Sequence, residues 1–192
     1  MSDPRPLDRA ATELCGIAVA AVDPDQLDLP TPCSEWSLGE LIAHLVAENR
    51  GFAAASFALP GSVGRRVWQP GPPDETALKN YPESADEVIR AFAAADLLDR
   101  SIEVREFGVF PGRAAVAMHF LDNLAHAWDV ARSIGLPDPI PADLAEAALP
   151  IAAQIPADRP AGGAFAAIVP TNSNPTDRFL GLLGRNPQWS AR

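Results

Sequence analysis

Two cysteines, Cys15 and Cys33, are all that the 192 residues contain, which excludes a disulfide framework and points to a reduced, cytoplasmic setting. No apolar run reaches the roughly 18 residues that a membrane span requires. The opening Met1-Ser2-Asp3-Pro4-Arg5-Pro6 has no basic segment followed by an apolar one, so no secretion signal is read there. Positive charge is short as well: 15 Lys and Arg stand against 25 Asp and Glu, a net charge of −10. A surface of that sign excludes a nucleic-acid backbone as partner and disfavours anionic membranes. The motifs of several chemistries are missing too. There is no Gly-x-Gly-x-x-Gly, no phosphate loop, no Gly-x-Ser-x-Gly elbow and no His-Glu-x-x-His. Histidine is rare, with three in the chain, and two of these fall within residues 119–129.

What is present suits one domain over residues 1–192, since 47% hydrophobic and 21% charged residues are ordinary for a globular chain of this size. Residues 7–22 are rich in Ala, Leu and Val and predict a first helix stopped by Asp23-Pro24. Ser37-Leu38-Gly39-Glu40 reads as a capping box that opens a helix to about Leu59. A proline- and glycine-rich loop around Trp68 is expected over 60–83. Ser84-Ala85-Asp86-Glu87 reads as a second capping box, opening a helix to about Arg100. The alternation in 102–107 is too short for a sheet and predicts a two-stranded ribbon or an extended loop. Pro111 opens a further helix that Gly135 ends. Pro141 to about Gln154 and Pro175–Leu183 complete an all-α bundle with extra short helices and long connections. The tail 171–192 is expected to pack on it, and the apolar-rich helices permit a homodimer.

At about 100° per residue, His119, Asp122, His126 and Asp129 lie on one helical stripe. A plain amphipathic helix would explain it, with Val116, Phe120, Leu124, Ala127, Trp128 and Ala131 as the buried back. Yet the stripe contains no Lys, Glu, Arg or Gln, and Met118, Leu121, Ala125 and Val130 flank it with apolar groups. Charged groups so placed are costly unless they pair or bind a metal. Asp122 and His126 are four apart and can converge on one ion. His44, on another helix with Glu40 and Glu48 one turn to either side, adds a second imidazole. Two imidazoles and one carboxylate leave a coordination position open. His119 lies about 10.5 Å along the axis from His126, so it is expected behind the ligands, in the cavity wall, or partly exposed. Asp129 either orients His126 or pairs with Arg132, the salt bridge being preferred. Cys33 reads as a small buried residue rather than a nucleophile.

Three segments together resemble the mycothiol-dependent maleylpyruvate isomerase family within the DinB-like superfamily. They are Thr31-Pro-Cys-Ser-Glu-Trp36 through Ala43-His44-Leu45, His119 through Gly135, and Asp177 through Trp189. The resemblance implies a DinB-like four-helix bundle with a divalent metal, typically zinc, at one end. The family's ligands, a His on the second helix and an acidic-x-x-x-His pair on a later one, fall on His44, Asp122 and His126. It also implies that mycothiol, or a similar low-molecular-weight thiol, binds at the metal and is used on a small electrophilic substrate. The isomerase itself carries Glu where this chain has Asp122, and it continues into a second, sterol-carrier-like domain. The expected function is a metal- and thiol-dependent transferase or isomerase. The competing expectation is a non-catalytic bundle that binds a metal or small ligand.

Overall fold

The chain is described by a computed structural model over residues 3–159, 165–171 and 174–191. Its elements are helices α1 (Arg5–Ala20), α2 (Leu38–Phe57), α3 (Glu75–Phe92), α4 (Gly112–Ser133), α5 (Ala142–Ala152) and α6 (Pro175–Leu182). A two-stranded antiparallel ribbon, β1 (Ser101–Val104) and β2 (Gly108–Pro111), precedes α4, with Ile102 opposite Phe110. The architecture is therefore all-α apart from the ribbon.

Local chemistry sets the helix ends. The Ser37 hydroxyl accepts from the Glu40 backbone N–H at 3.3 Å, and the Glu40 carboxylate accepts from the Ser37 N–H at 2.8 Å. This is the anticipated capping box, and it commits Glu40 to the helix end rather than to His44. At the far end of α4, Gly135 adopts φ 75°. The Leu136 N–H then reaches back to the Ala131 carbonyl at 2.9 Å, closing the helix in a Schellman turn.

One boundary departs from expectation. The helix assigned to 84–100 begins at Glu75 and ends at Phe92, with Asp74 as its N-cap and Pro82 inside it. The Asp74 carboxylate accepts from the Thr76 N–H at 2.7 Å. Pro82 is on the solvent side, where the carbonyl it leaves unbonded can turn to water, so the usual cost of an interior proline is eased. Ser84 is not a cap. It is buried, and its hydroxyl donates to the Tyr81 carbonyl at 2.8 Å and accepts from Asn49 Nδ2 at 3.1 Å. The connection after α2 is correspondingly shorter, ending at Asp74.

Helices α1 to α4 form the bundle: α1 packs on α4, α2 on α3, and the pairs close through α2–α4 and α1–α3. Its core falls into three apolar regions. Cys15, Leu41, Ile42, Leu45, Tyr81 and Val130 fill one. Phe120, Leu124 and Trp128 of α4 receive α5 and α6 through Leu144, Phe179, Leu180 and Leu183. At the other end Phe52, Trp68, Phe92, Ile102 and Val116 bury one side of the ribbon. Trp68 lies so close to α2 that a Cβ at Gly51 would fall within its ring. Helix α4 is buried nearly all round, with Leu121, Ala125 and Val130 as enclosed as Phe120 and Leu124. No helix among the described residues is long and apolar enough to cross a membrane.

Candidate metal centre

The packing of α2 against α4 brings His44 to Asp122 and His126. His44 Nε2 is 3.6 Å from Asp122 Oδ1, and His126 Nε2 is 3.3 Å from the same oxygen. The three ligand-type atoms all lie within 4.8 Å of one another. Tetrahedral zinc with bonds of about 2.0–2.1 Å separates its ligand atoms by about 3.3 Å, so the spacing suits one ion. His44 Nε2 and Asp122 Oδ2 are buried and without a hydrogen-bond partner. Two enclosed polar atoms left unpaired at one point are costly, and a cation there would satisfy both. The three residues can therefore hold a metal of the borderline class that accepts imidazole and carboxylate.

Trp36, from the segment before α2, lies over the two imidazoles, with ring centroids 4.5 Å from His44 and 6.1 Å from His126. It covers the ligands on one side. The side chain of Asp122 is 26% exposed, against 7% for His44 and 5% for His126, so Asp122 is the member of the trio nearest solvent.

Each imidazole has a second carboxylate behind it. Asp129 Oδ2 is 2.9 Å from His126 Nδ1. It also accepts from Arg185 at 3.0 Å, which pairs Asp129 with Arg185 rather than with Arg132. Arg132 instead donates to the Leu136 and Trp189 carbonyls. Glu48 Oε1 lies 3.8 Å from His44 Nδ1 and is paired with Arg105 at 2.6 Å. Arg105 stacks over Trp68 and sits at φ 39°, the described residues' one positive φ outside glycine. That backbone is uncommon for a long side chain.

Charge states follow from these neighbours. Burial drives His44 down, toward the neutral imidazole that a metal requires, although Asp122 opposes it. Burial would lower His126 too, but Asp122 and Asp129 outweigh it and raise its pKa well above the ordinary value. Asp122 would rise through burial, yet His126 and His44 hold it well below the usual carboxylate range. Asp129 is likewise held low, chiefly by Arg185, against the effect of its burial. Glu48 is pushed up to about 8 by burial and by Asp122, with Arg105 opposing.

The remaining residues singled out in the sequence lie elsewhere. His119 neither stands behind the ligands nor reaches solvent. It is fully buried between the Phe52 and Phe92 rings, with Nδ1 2.6 Å from Asp8 Oδ1 and Nε2 2.9 Å from Asn49 Oδ1. Cys33 is half-buried at the edge of the site, within 3.4 Å of Asp129 Oδ2. Cys33, His126 and Asp129 form a second set of ligand types. The Arg185 guanidinium lies against both Asp129 and Cys33, which makes that spot a poor place for a cation. Nothing in the local sequence marks Arg105 or Arg185 as neighbours of the site.

Fold and site together define an all-α bundle with a two-histidine, one-carboxylate cluster between two of its helices. The sequence model of the mycothiol maleylpyruvate isomerase N-terminal domain matches residues 9–131, and the chain belongs to that family. Two uncharacterized proteins from two strains of Mycobacterium tuberculosis are each 30% identical over 192 residues, covering 95% of this chain and 98% of theirs. Crystal structures of the mycothiol-dependent maleylpyruvate isomerase and of a mutant of it share the fold at a TM-score of 0.56. They are 15% and 14% identical, and the overlap covers 76% of this chain and 68% of theirs.

Proposed function

We propose that His44, Asp122 and His126 bind a divalent metal ion, zinc by donor type, and that the protein is a thiol-dependent isomerase or S-transferase. Its thiol is mycothiol or a similar low-molecular-weight thiol, and its substrate is a small electrophile. The observation that carries this reading is the convergence of His44, Asp122 and His126, with His44 Nε2 and Asp122 Oδ2 both buried and unpaired. Family membership supports the thiol and the isomerase chemistry. When bound, the ion supplies positive charge and an open position that make a thiolate accessible at neutral pH.

The chain's own residues do the rest. Asp129 accepts the Nδ1 proton of His126, which leaves Nε2 directed at Asp122. The proton that His126 otherwise retains at Nε2 is released when that nitrogen becomes a ligand. Trp36 excludes water from one side of the imidazoles. The solvent-facing side of Asp122 marks where thiol and substrate approach. The same reading takes the whole chain as one working domain in the cytoplasm, a setting supported by two free cysteines.

The test is metal analysis of untagged protein, followed by thiol consumption with a panel of electrophiles. One ion per chain is expected in the wild type and none in His44→Ala. Metal-free wild-type protein, or unchanged metal content in His44→Ala, defeats the reading. Bound metal without thiol consumption leaves a binding protein and defeats the enzymatic half.

A further inference from the structure

The buried cation beside His126 comes from the far end of the chain. Arg185 follows Gly184, whose φ of 80° turns the backbone out of α6. Its N–H bonds to the Leu180 carbonyl at 2.9 Å, so its backbone is fixed by the helix end. Phe179, Leu180 and Leu183, all buried, anchor that helix end against α4. The side chain is buried too, at 9% exposure. One terminal nitrogen donates to Asp129 Oδ2 at 3.0 Å and to Cys33 Sγ at 2.9 Å, while the other donates to the Leu183 carbonyl at 3.0 Å. This rigid delivery lies outside residues 9–131, the part matched by the family model.

We propose that Arg185 is a positioning residue of the metal centre, acting through Asp129 to fix which nitrogen of His126 faces the ion. The inference rests on the metal reading above. Asp129 is wholly enclosed, and the Oδ2 that faces His126 Nδ1 at 2.9 Å is the same oxygen held by Arg185 at 3.0 Å. Arg185 thereby fixes the carboxylate as an acceptor on the Nδ1 side of His126, so the nitrogen facing it carries the hydrogen. Nε2 is then the nitrogen left to face the ion, 3.3 Å from Asp122 Oδ1. Carboxylate partners of this kind orient metal-binding histidines and are typically worth 10- to 100-fold in metal affinity. Here the carboxylate in turn depends on an arginine from the C-terminal segment. The equivalent arm behind His44 is looser, because Glu48 stands 3.8 Å away, beyond hydrogen-bond range.

The experiment uses the untagged full chain and Zn2+ in competition with a chromophoric chelator. Arg185→Gln is expected to weaken zinc binding about tenfold or more. Arg185→Lys recovers part of the loss, and Arg178→Gln, on the exposed side of α6, has no effect. Histidine 15N NMR of the zinc-loaded wild type, simple to assign with three histidines, is expected to show His126 protonated at Nδ1 and metal-bound at Nε2. Should Arg185→Gln fail to fold, Asp129→Asn replaces it in the affinity measurement, and the wild-type spectrum decides independently. Equal zinc affinity in wild type and Arg185→Gln, or His126 bound through Nδ1, overturns the inference. A wild type with no zinc affinity overturns the metal reading itself, which keeps the two failures apart.

Discussion

Asp8 of α1 and His119 of α4 meet at 2.6 Å in the middle of the bundle, joined by a carboxylate oxygen and a ring nitrogen that are both sealed from solvent. Asn49 of α2 takes the other side of the ring at 2.9 Å, and it donates in turn to Ser84 of α3 at 3.1 Å. All four bundle helices are thus tied through one imidazole. Removing one partner of such a buried pair leaves the other uncompensated, at a cost of about 3–5 kcal/mol. Asp8→Ala is expected to lower stability by that amount in urea unfolding. Zinc content should remain unchanged in the folded fraction, because neither residue touches the ligand trio. A loss of zinc from folded Asp8→Ala protein would move this cluster into the metal centre and contradict the assignment.

The same aspartate gives a pH signature. Burial raises its carboxyl above the ordinary 3.8, although His119 opposes the shift. A carboxyl raised in the folded state favours the protonated fold. Its contribution is therefore fully present below about pH 3.8 and is lost as pH rises through the folded value. Asp8→Asn has no such titration. Urea midpoints of both proteins from pH 4 to 8 should show the mutant gaining on the wild type as pH rises. A gap that stays constant with pH refutes the shift.

The two thiols are expected to behave differently toward a thiol reagent. Cys15 is fully enclosed, and burial pushes its pKa up to about 12, so almost no thiolate forms there at neutral pH. Cys33 is half-buried beside the Arg185 guanidinium. Ellman's reagent should therefore titrate one thiol in native protein and two in denaturant. Cys33→Ser should abolish the native reaction; a fast native reaction that survives this substitution would place Cys15 at the surface.

What could be read from the sequence was local. The Ser37–Glu40 cap, the Gly135 stop and the ribbon before α4 each have their signal within a few residues, and the structure contains all three. The convergence of His44 with Asp122 and His126 followed from helical spacing within α4 and from a family resemblance that joined the two helices. Helix α3 departs from its sequence pattern for a reason equally local: Pro82 followed by Ser84 looks like a break and a cap, but the proline faces solvent and the serine is drawn inward to Asn49. The arginines carry no local signal because their contacts are long-range. Arg185 and Asp129 are 56 residues apart, and Arg185 and Cys33 are 152 apart; no periodicity encodes such pairs. His119 shows the limit of the stripe itself, since a shared helix face does not reveal that one member turns to α1.

Helix α4 carries His119 toward α1 and Asp122 with His126 toward α2, while most of its remaining surface is core. A slip of one residue in its register would turn every one of these side chains by about 100° and displace Phe120 and Leu124 from their places in the core at the same time. The His44, Asp122 and His126 cluster is carried by the bundle helices themselves, so it loosens only with them. Inactivation by heat or denaturant should then coincide with collapse of the tertiary structure, and a folded chain that has mislaid its site is not a state this architecture can populate.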